Sequence, residues 1–160
     1  MSGKIISNAS PLIFLSKIGR IGLLHELFGE IFIPEAAWTE ATHKPDYVTD
    51  NLRELKSKGQ RNVFTVKNTI AVSAMIGRLY IGESEVIVGA GELGIPSVIL
   101  DDGYARSKAK QMDLVVIGTL GILVAAQKKG LITDLGVELD RLRKIGFRIS
   151  DSIVEQIIKN

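Results

Sequence analysis

The sequence predicts an α/β fold, a parallel sheet covered by helices on both faces. Three observations point to it. Segments of strand and helix character alternate along the whole chain. The strand-like segments are short continuous apolar runs rather than apolar/polar alternations, as expected for strands buried on both faces. The chain has 160 residues, 46% of them hydrophobic, and no cysteine. That is enough for a single domain over 1–160 with one substantial core and no disulfide framework.

Lys4-Ile5-Ile6-Ser7 reads as the first strand. Ser10 then stands as the N-cap of a helix with Pro11 in its first turn, an apolar stripe at Leu12, Leu15 and Ile18, and Gly19 as its stop. A short helix over 21–28 closes at Gly29. Ile31-Phe32-Ile33 is the second strand, cut by Pro34, and a helix follows over 35–41. A polar amphipathic helix spans 50–58 and ends at Gly59. Val63-Phe64-Thr65-Val66 is the third strand, and 71–79 has helical character.

The second half repeats the alternation. A helix over 82–93 stops at Gly94 and leads into the fourth strand, Val98-Ile99-Leu100. A basic helix over 104–112 precedes the fifth strand, Leu114-Val115-Val116-Ile117. Helices over 119–129 and 134–145 stop at Gly130 and Gly146, and a tail helix over 150–159 starts on Ser150 as N-cap. Met1 to Lys4 leads into a short apolar run broken by Asn8 and Ser10, with no cleavage signature. No stretch reaches the about 18 apolar residues of a membrane span. The expectation is a soluble cytoplasmic protein without a signal peptide. The net charge of +2 weakly favours an anionic partner.

In an open parallel sheet, functional groups gather beyond the carboxyl ends of the strands. Asn8 and Ser10 follow the first strand, Glu40 lies one or two helical turns past the second, and Asp101-Asp102 follow the fourth. Glu83 and Glu85 occupy the first turns of the helix that enters the fourth strand. Each has an ordinary reading: acids at helix N-termini, Asp caps, an Asn in a turn, a solvated Glu. Their falling at one edge is what points to an oxygen-only site for a hard cation such as magnesium or manganese. Arg106, one turn past the Asp pair, suits a phosphate passing close to it.

Other features carry less. Gly89-Ala90-Gly91-Glu92-Leu93-Gly94 matches a dinucleotide fingerprint literally, but it closes a helix instead of opening one. Gly89 and Gly91 are expected to permit close helix packing. His25 and His43 lack paired metal-ligand spacing, Trp38 reads as a packing residue, and no Ser-His-Asp arrangement is present. A receiver-like signalling fold would need its acidic pair after the first strand, whereas here the pair follows the fourth.

Taken together, Asn8-Ala9-Ser10-Pro11-Leu12-Ile13, Leu23-Leu24 to Phe28-Gly29, Ile33-Pro34-Glu35, Gly82-Glu83-Ser84-Glu85, Asp101-Asp102 to Ala105-Arg106 and Gly118-Thr119-Leu120-Gly121 resemble the PIN-domain superfamily. Within it they are similar to the prokaryotic branch related to VapC toxin ribonucleases. The resemblance runs to Gly146-Phe147-Arg148-Ile149-Ser150. It implies a three-layer α/β/α sandwich with a five-stranded parallel sheet in the order 3-2-1-4-5. It also implies a magnesium- or manganese-dependent ribonuclease acting on single-stranded RNA, an antitoxin partner and a homodimer. The family's acids fall on Asn8, Glu40, Glu85 (with Glu83 close by) and Asp102 (with Asp101 adjacent). Ser10, Arg106 and Thr119 fall on the substrate side. Asn8 departs from the pattern: its amide oxygen can ligate a cation but carries no charge. That departure keeps open a non-catalytic module that binds RNA or protein.

Overall fold

The structure is a computed structural model and describes residues 3–159. Met1 and Ser2, on which the leader expectation partly rests, lie outside the described residues. Five strands form one sheet: β1 (Lys4–Ser7), β2 (Glu30–Pro34), β3 (Arg61–Phe64), β4 (Ser97–Ile99) and β5 (Val115–Ile117). All pairings are parallel and the order is β3-β2-β1-β4-β5, as expected. Among the described residues, ten helices connect and cover the strands: α1 (Ala9–Lys17), α2 (Gly22–Phe28), α3 (Glu35–Thr42), α4 (Tyr47–Ser57), α5 (Thr69–Met75), α6 (Ile81–Leu93), α7 (Gly103–Gln111), α8 (Thr119–Lys128), α9 (Leu135–Lys144) and α10 (Asp151–Lys159).

Alternate strand residues feed two separate cores. Ile5 and Ile99 join a cluster with Leu12, Leu15, Leu24, Leu52, Ile122 and Leu139, on the side of α1, α2, α4, α8 and α9. Ile6 and Val98 face the other way, into a cluster with Leu79, Val86, Ile87, Ala105 and Ala109, under α6 and α7. This period-2 division is why the strands read as unbroken apolar runs: both faces are covered. Gly89 allows α6 to lie close on the sheet, since a Cβ there would lie 2.7 Å from the Phe64 ring. Gly91 differs from expectation: a Cβ there would meet nothing within 4 Å, so it has no packing role.

Several boundaries shift for identifiable reasons. The N-cap of α1 is Asn8, not Ser10, and its side chain makes no capping bond. The start of α4 lies three residues before the expected one, because the Asp46 carboxylate accepts from Val48 N–H (3.1 Å) and Thr49 N–H (3.2 Å). The ladder of β3 begins at Arg61, two residues before the apolar run, and Val66 is buried outside the strand. Arg61 earns that place by stacking on Trp38 (4.2 Å) and donating to the Leu52 carbonyl (3.0 Å). The fifth helix begins at an Asn68 cap and ends before Gly77, whose φ of 139° breaks it. Among the described residues, no helix is long and apolar enough to cross a membrane.

β1 and β4 lie side by side at the centre, where the strand order reverses. Their carboxyl ends open the crevice in which α/β sheets hold ligands. The Asn8 N–H donates to the Ile99 carbonyl (3.2 Å), and the Leu100 N–H to the Ile117 carbonyl (3.0 Å). The segments that follow β1, β4 and β5 are therefore fixed to one another at that edge.

Candidate functional site

A cavity of about 550 Å³ opens at this crevice, lined by Asn8, Ser10, Glu40, Tyr80, Ile81, Gly82, Glu83, Asp101 and Asp102. Four different connections supply them. Asn8 and Ser10 come from the β1–α1 junction, Glu40 from the last turn of α3, the residues from Tyr80 to Glu83 from the start of α6, and the two aspartates from the β4–α7 junction.

Asn8 is only 9% exposed, and its Oδ1 has no hydrogen-bond partner. It does not cap α1; the oxygen lies beside Gly82 instead. A Cβ on Gly82 would fall 2.8 Å from Asn8 Oδ1 and 3.7 Å from Glu40 Oε2. The absence of a side chain at Gly82 thus keeps clear the space between an amide oxygen and a carboxylate. A buried, unpaired acceptor is costly, and native folds leave few of them.

Glu83 is 7% exposed. Its Oε2 accepts from the Tyr80 backbone N–H (3.1 Å), which fastens the first turn of α6. Burial pushes its carboxyl above the usual carboxylate range. The Tyr80 hydrogen bond partly offsets that rise, and the charges of Asp102 and Glu40 add to it. Asp102 caps α7 through Oδ2, which accepts from Ala105 N–H (2.9 Å). Both Asp101 oxygens accept a hydrogen bond: Oδ1 from Thr119 N–H (2.8 Å) and Oδ2 from the Thr119 hydroxyl (2.6 Å).

The structure thus brings Asn8, Ser10, Glu40, Glu83, Asp101 and Asp102 to one cavity and leaves three expected residues outside its lining. Glu85, one position past Ser84, points to the start of α3, where Oε1 accepts from Ala36 N–H (2.9 Å). Thr119 is fully buried behind Asp101, with both of its donors committed there. Arg106 donates to the Leu100 carbonyl (2.9 Å) and lines a neighbouring hollow with Asp101, Gly118 and Arg148. The sequence reading did not assign Tyr80 or the clearance at Gly82. Tyr80 is the N-cap of α6 and lies outside the quoted motifs, whereas Gly82 opens the Gly82-Glu83-Ser84-Glu85 motif, whose pattern does not tell what its missing side chain leaves clear. The histidines are peripheral: Nδ1 of His25 is 3.1 Å from the Gly29 carbonyl, and Nδ1 of His43 is 2.7 Å from the Glu40 carbonyl.

Among the described residues, no group of three or more acidic, histidine or cysteine side chains is arranged to hold an ion. The donors around the cavity nevertheless suit a hard divalent cation. They are all oxygens, and one of them, Asn8 Oδ1, is buried without a partner. No curated protein matches the chain. A family model described as a PIN domain matches residues 4–160. PIN domains share a nuclease-type fold and are in general metal-dependent nucleases. With that match spanning nearly its whole length, and with a parallel sheet of the expected order, the chain belongs to the PIN-domain family.

Proposed function

We propose that this chain, acting as one unit over 1–160, is a magnesium- or manganese-dependent ribonuclease that hydrolyses phosphodiester bonds in single-stranded RNA. The observation that carries this reading is the unpaired Asn8 Oδ1, held open by Gly82 beside Glu40 in a cavity shared with Glu83 and Asp102. Asn8, Glu40, Glu83 and Asp102 would hold the cation, directly or through water. A bound divalent cation supplies water activation and neutralises charge developing on the phosphate.

The chain's own groups have separable roles. Asp101, on the cavity wall, accepts from Thr119 and so ties the β4–α7 junction to the start of α8. Glu83 both faces the cavity and fastens the Tyr80 turn. Ser10 supplies a hydroxyl at the rim for a phosphate oxygen or a water. Arg106, in the adjoining hollow, suits a flanking phosphate. Glu85 contributes indirectly, by holding the start of α3 and hence the helix that carries Glu40.

The neutral Asn8 favours a second reading, a degenerate PIN domain that binds RNA or protein without cutting. Manganese-dependent cleavage of a single-stranded oligoribonucleotide, compared between the parent and Asp102→Asn, decides between them. Cleavage that the substitution abolishes supports the nuclease. Tight RNA binding with no cleavage in either form supports the binding module. A toxin role restrained by an antitoxin and a homodimer, as the family resemblance implies them, and a cytoplasmic location, as the sequence composition suggests, complete the proposal.

A further inference from the structure

The rim of the acidic cavity carries exposed aromatic surface on a rigid mount. Tyr80 is 80% exposed and Ile81 52%, and both line the cavity mouth. Tyr104, 42% exposed, lies two residues past Asp102 in the first turn of α7. The guanidinium of Arg78 rests on the Tyr104 ring, 4.5 Å from its centroid. That stack ties the turn before α6 to the start of α7, beside the cavity. Among the described residues, Arg78 has no carboxylate partner.

The segment that presents these groups is held firmly. Leu79, between exposed Arg78 and Tyr80, is 2% exposed and anchors in the core under α6 and α7. Gly77 N–H donates to the Leu79 carbonyl (3.2 Å), and Gly77 adopts a φ of 139° to allow it. The backbone of Tyr80 is fixed at both ends. Its N–H goes to Glu83 (3.1 Å), and its carbonyl accepts from Ser84 N–H (3.0 Å) and the Ser84 hydroxyl (3.0 Å). Arg78, Leu79 and Tyr80 thus alternate out, in, out.

An exposed tyrosine on a fixed backbone is a preorganised surface, and little further entropy is lost when something flat lies on it. Tyrosine rings and arginine planes are what single-stranded nucleic acids use for base stacking, while cationic groups nearby track the phosphates. A duplex, with its bases already stacked inside, presents no free face to such groups.

We propose that Tyr80 and the Arg78–Tyr104 stack form a nucleobase platform that seats an unpaired base of RNA at the mouth of the acidic cavity. This rests on the nuclease reading for the identity of the strand's phosphates, but it makes a separate claim about its bases. The platform selects single strands and sets which phosphate enters the cavity. It is sequence-tolerant, because every base offers a π face.

The experiment measures binding of a labelled single-stranded oligoribonucleotide, and of an abasic strand with the same phosphates, by fluorescence anisotropy in calcium. The full chain is compared with Tyr80→Ala, Tyr104→Ala, Tyr80→Phe and Tyr104→Phe. The parent should prefer the base-bearing strand. Each alanine variant should bind that strand at least about fivefold more weakly, from the usual worth of one stacked base. Both phenylalanine variants should retain affinity, and the abasic strand should not distinguish any of them. Tyr80 is exposed enough that its removal leaves the core untouched, and circular dichroism checks each variant.

Alanine variants that bind the base-bearing strand within twofold of the parent overturn the platform. So does a parent that binds both strands equally, or neither. If the alanine variants instead weaken self-association in sedimentation while RNA binding is unchanged, the patch pairs two copies of the chain and the proposal falls. Manganese-dependent cleavage is scored separately. Tyrosine-dependent binding without cleavage sinks the nuclease reading and leaves the platform standing. Cleavage with tyrosine-independent binding does the reverse.

Discussion

Gly82 stands so close to Asn8 that a Cβ on the glycine would lie 2.8 Å from the asparagine Oδ1. The atom in the way is the end of a side chain, not backbone, so Gly82→Ala should be absorbed by rotation of the Asn8 amide. Alanine also suits the first turn of α6 better than glycine, by about 0.5–1 kcal/mol. The expected outcome is a protein as stable as the parent, or slightly more so, with clearly weaker manganese binding. Thermal unfolding and a calorimetric titration check the two halves. Unchanged metal affinity would mean that Asn8 Oδ1 is not a ligand.

Glu83 links the site to stability. Its carboxyl is raised above the usual 4.5 chiefly by burial, with Asp102 and Glu40 adding to the rise. The folded protein therefore holds a proton there that the unfolded chain has already released. Stability of the metal-free protein falls as pH rises through the interval from the unfolded value to the raised folded one, and is recovered on acidification. Glu83→Gln keeps an acceptor for the Tyr80 N–H while removing the charge. It should stabilise the metal-free protein near neutral pH and flatten that part of the pH profile. Urea titrations at pH 5 and 7 measure it, and a variant less stable than the parent at pH 7 counts against the argument.

Glu83 and Glu85 are two residues apart on α6 and face different neighbours. Oε1 of Glu85 accepts from the Ala36 N–H at the start of α3. Glu85→Ala should cost about 1 kcal/mol, the ordinary worth of a helix-terminal carboxylate contact. Glu85→Gln, which retains an acceptor, should bind manganese nearly as well as the parent, whereas Glu83→Gln should bind it markedly less well. Parallel titrations of the two glutamine variants give the answer, and a larger loss at Glu85 would reassign the ligand.

That contrast marks where the sequence was legible. The alternation of apolar runs and glycine-stopped helices identified each of the five strands and the α/β class, because the central strands of a doubly covered sheet are apolar on both faces. The strand order came with the family pattern, as periodicity does not encode which strands are neighbours. The edge at which Asn8, Glu40, Asp101 and Asp102 meet was legible from the strand-end rule. The direction of a particular carboxylate was not. Glu83 and Glu85 sit in one helical turn, and their division of labour depends on where α3 begins relative to α6. Likewise β3 starts on Arg61 because of Trp38, a partner far away in sequence.

The remaining prediction concerns Asn8 itself. Its side chain is buried, makes no capping bond and leaves Oδ1 unpaired at the space over Gly82 that the Glu40 carboxylate also borders. An aspartate there would be nearly the same size, so packing should tolerate Asn8→Asp. The change is electrostatic. A further carboxylate next to Glu40, Glu83 and Asp102 increases mutual repulsion in the metal-free protein, which should lose stability near neutral pH. A divalent cation reverses the sign, since the added charge then ligates it. A hydrogen bond or ligand contact gains about 1–2 kcal/mol when it becomes charge-assisted, so manganese binding should tighten roughly tenfold or more. The stability deficit should close as manganese is added, because a ligand that binds only the folded state stabilises it in proportion to its affinity. Thermal unfolding of both forms across a manganese series tests this in one experiment: the Asn8→Asp curve should start below the parent and cross above it. If the two curves stay parallel, the position does not touch the cation, and the site's first ligand must be sought elsewhere on the cavity wall.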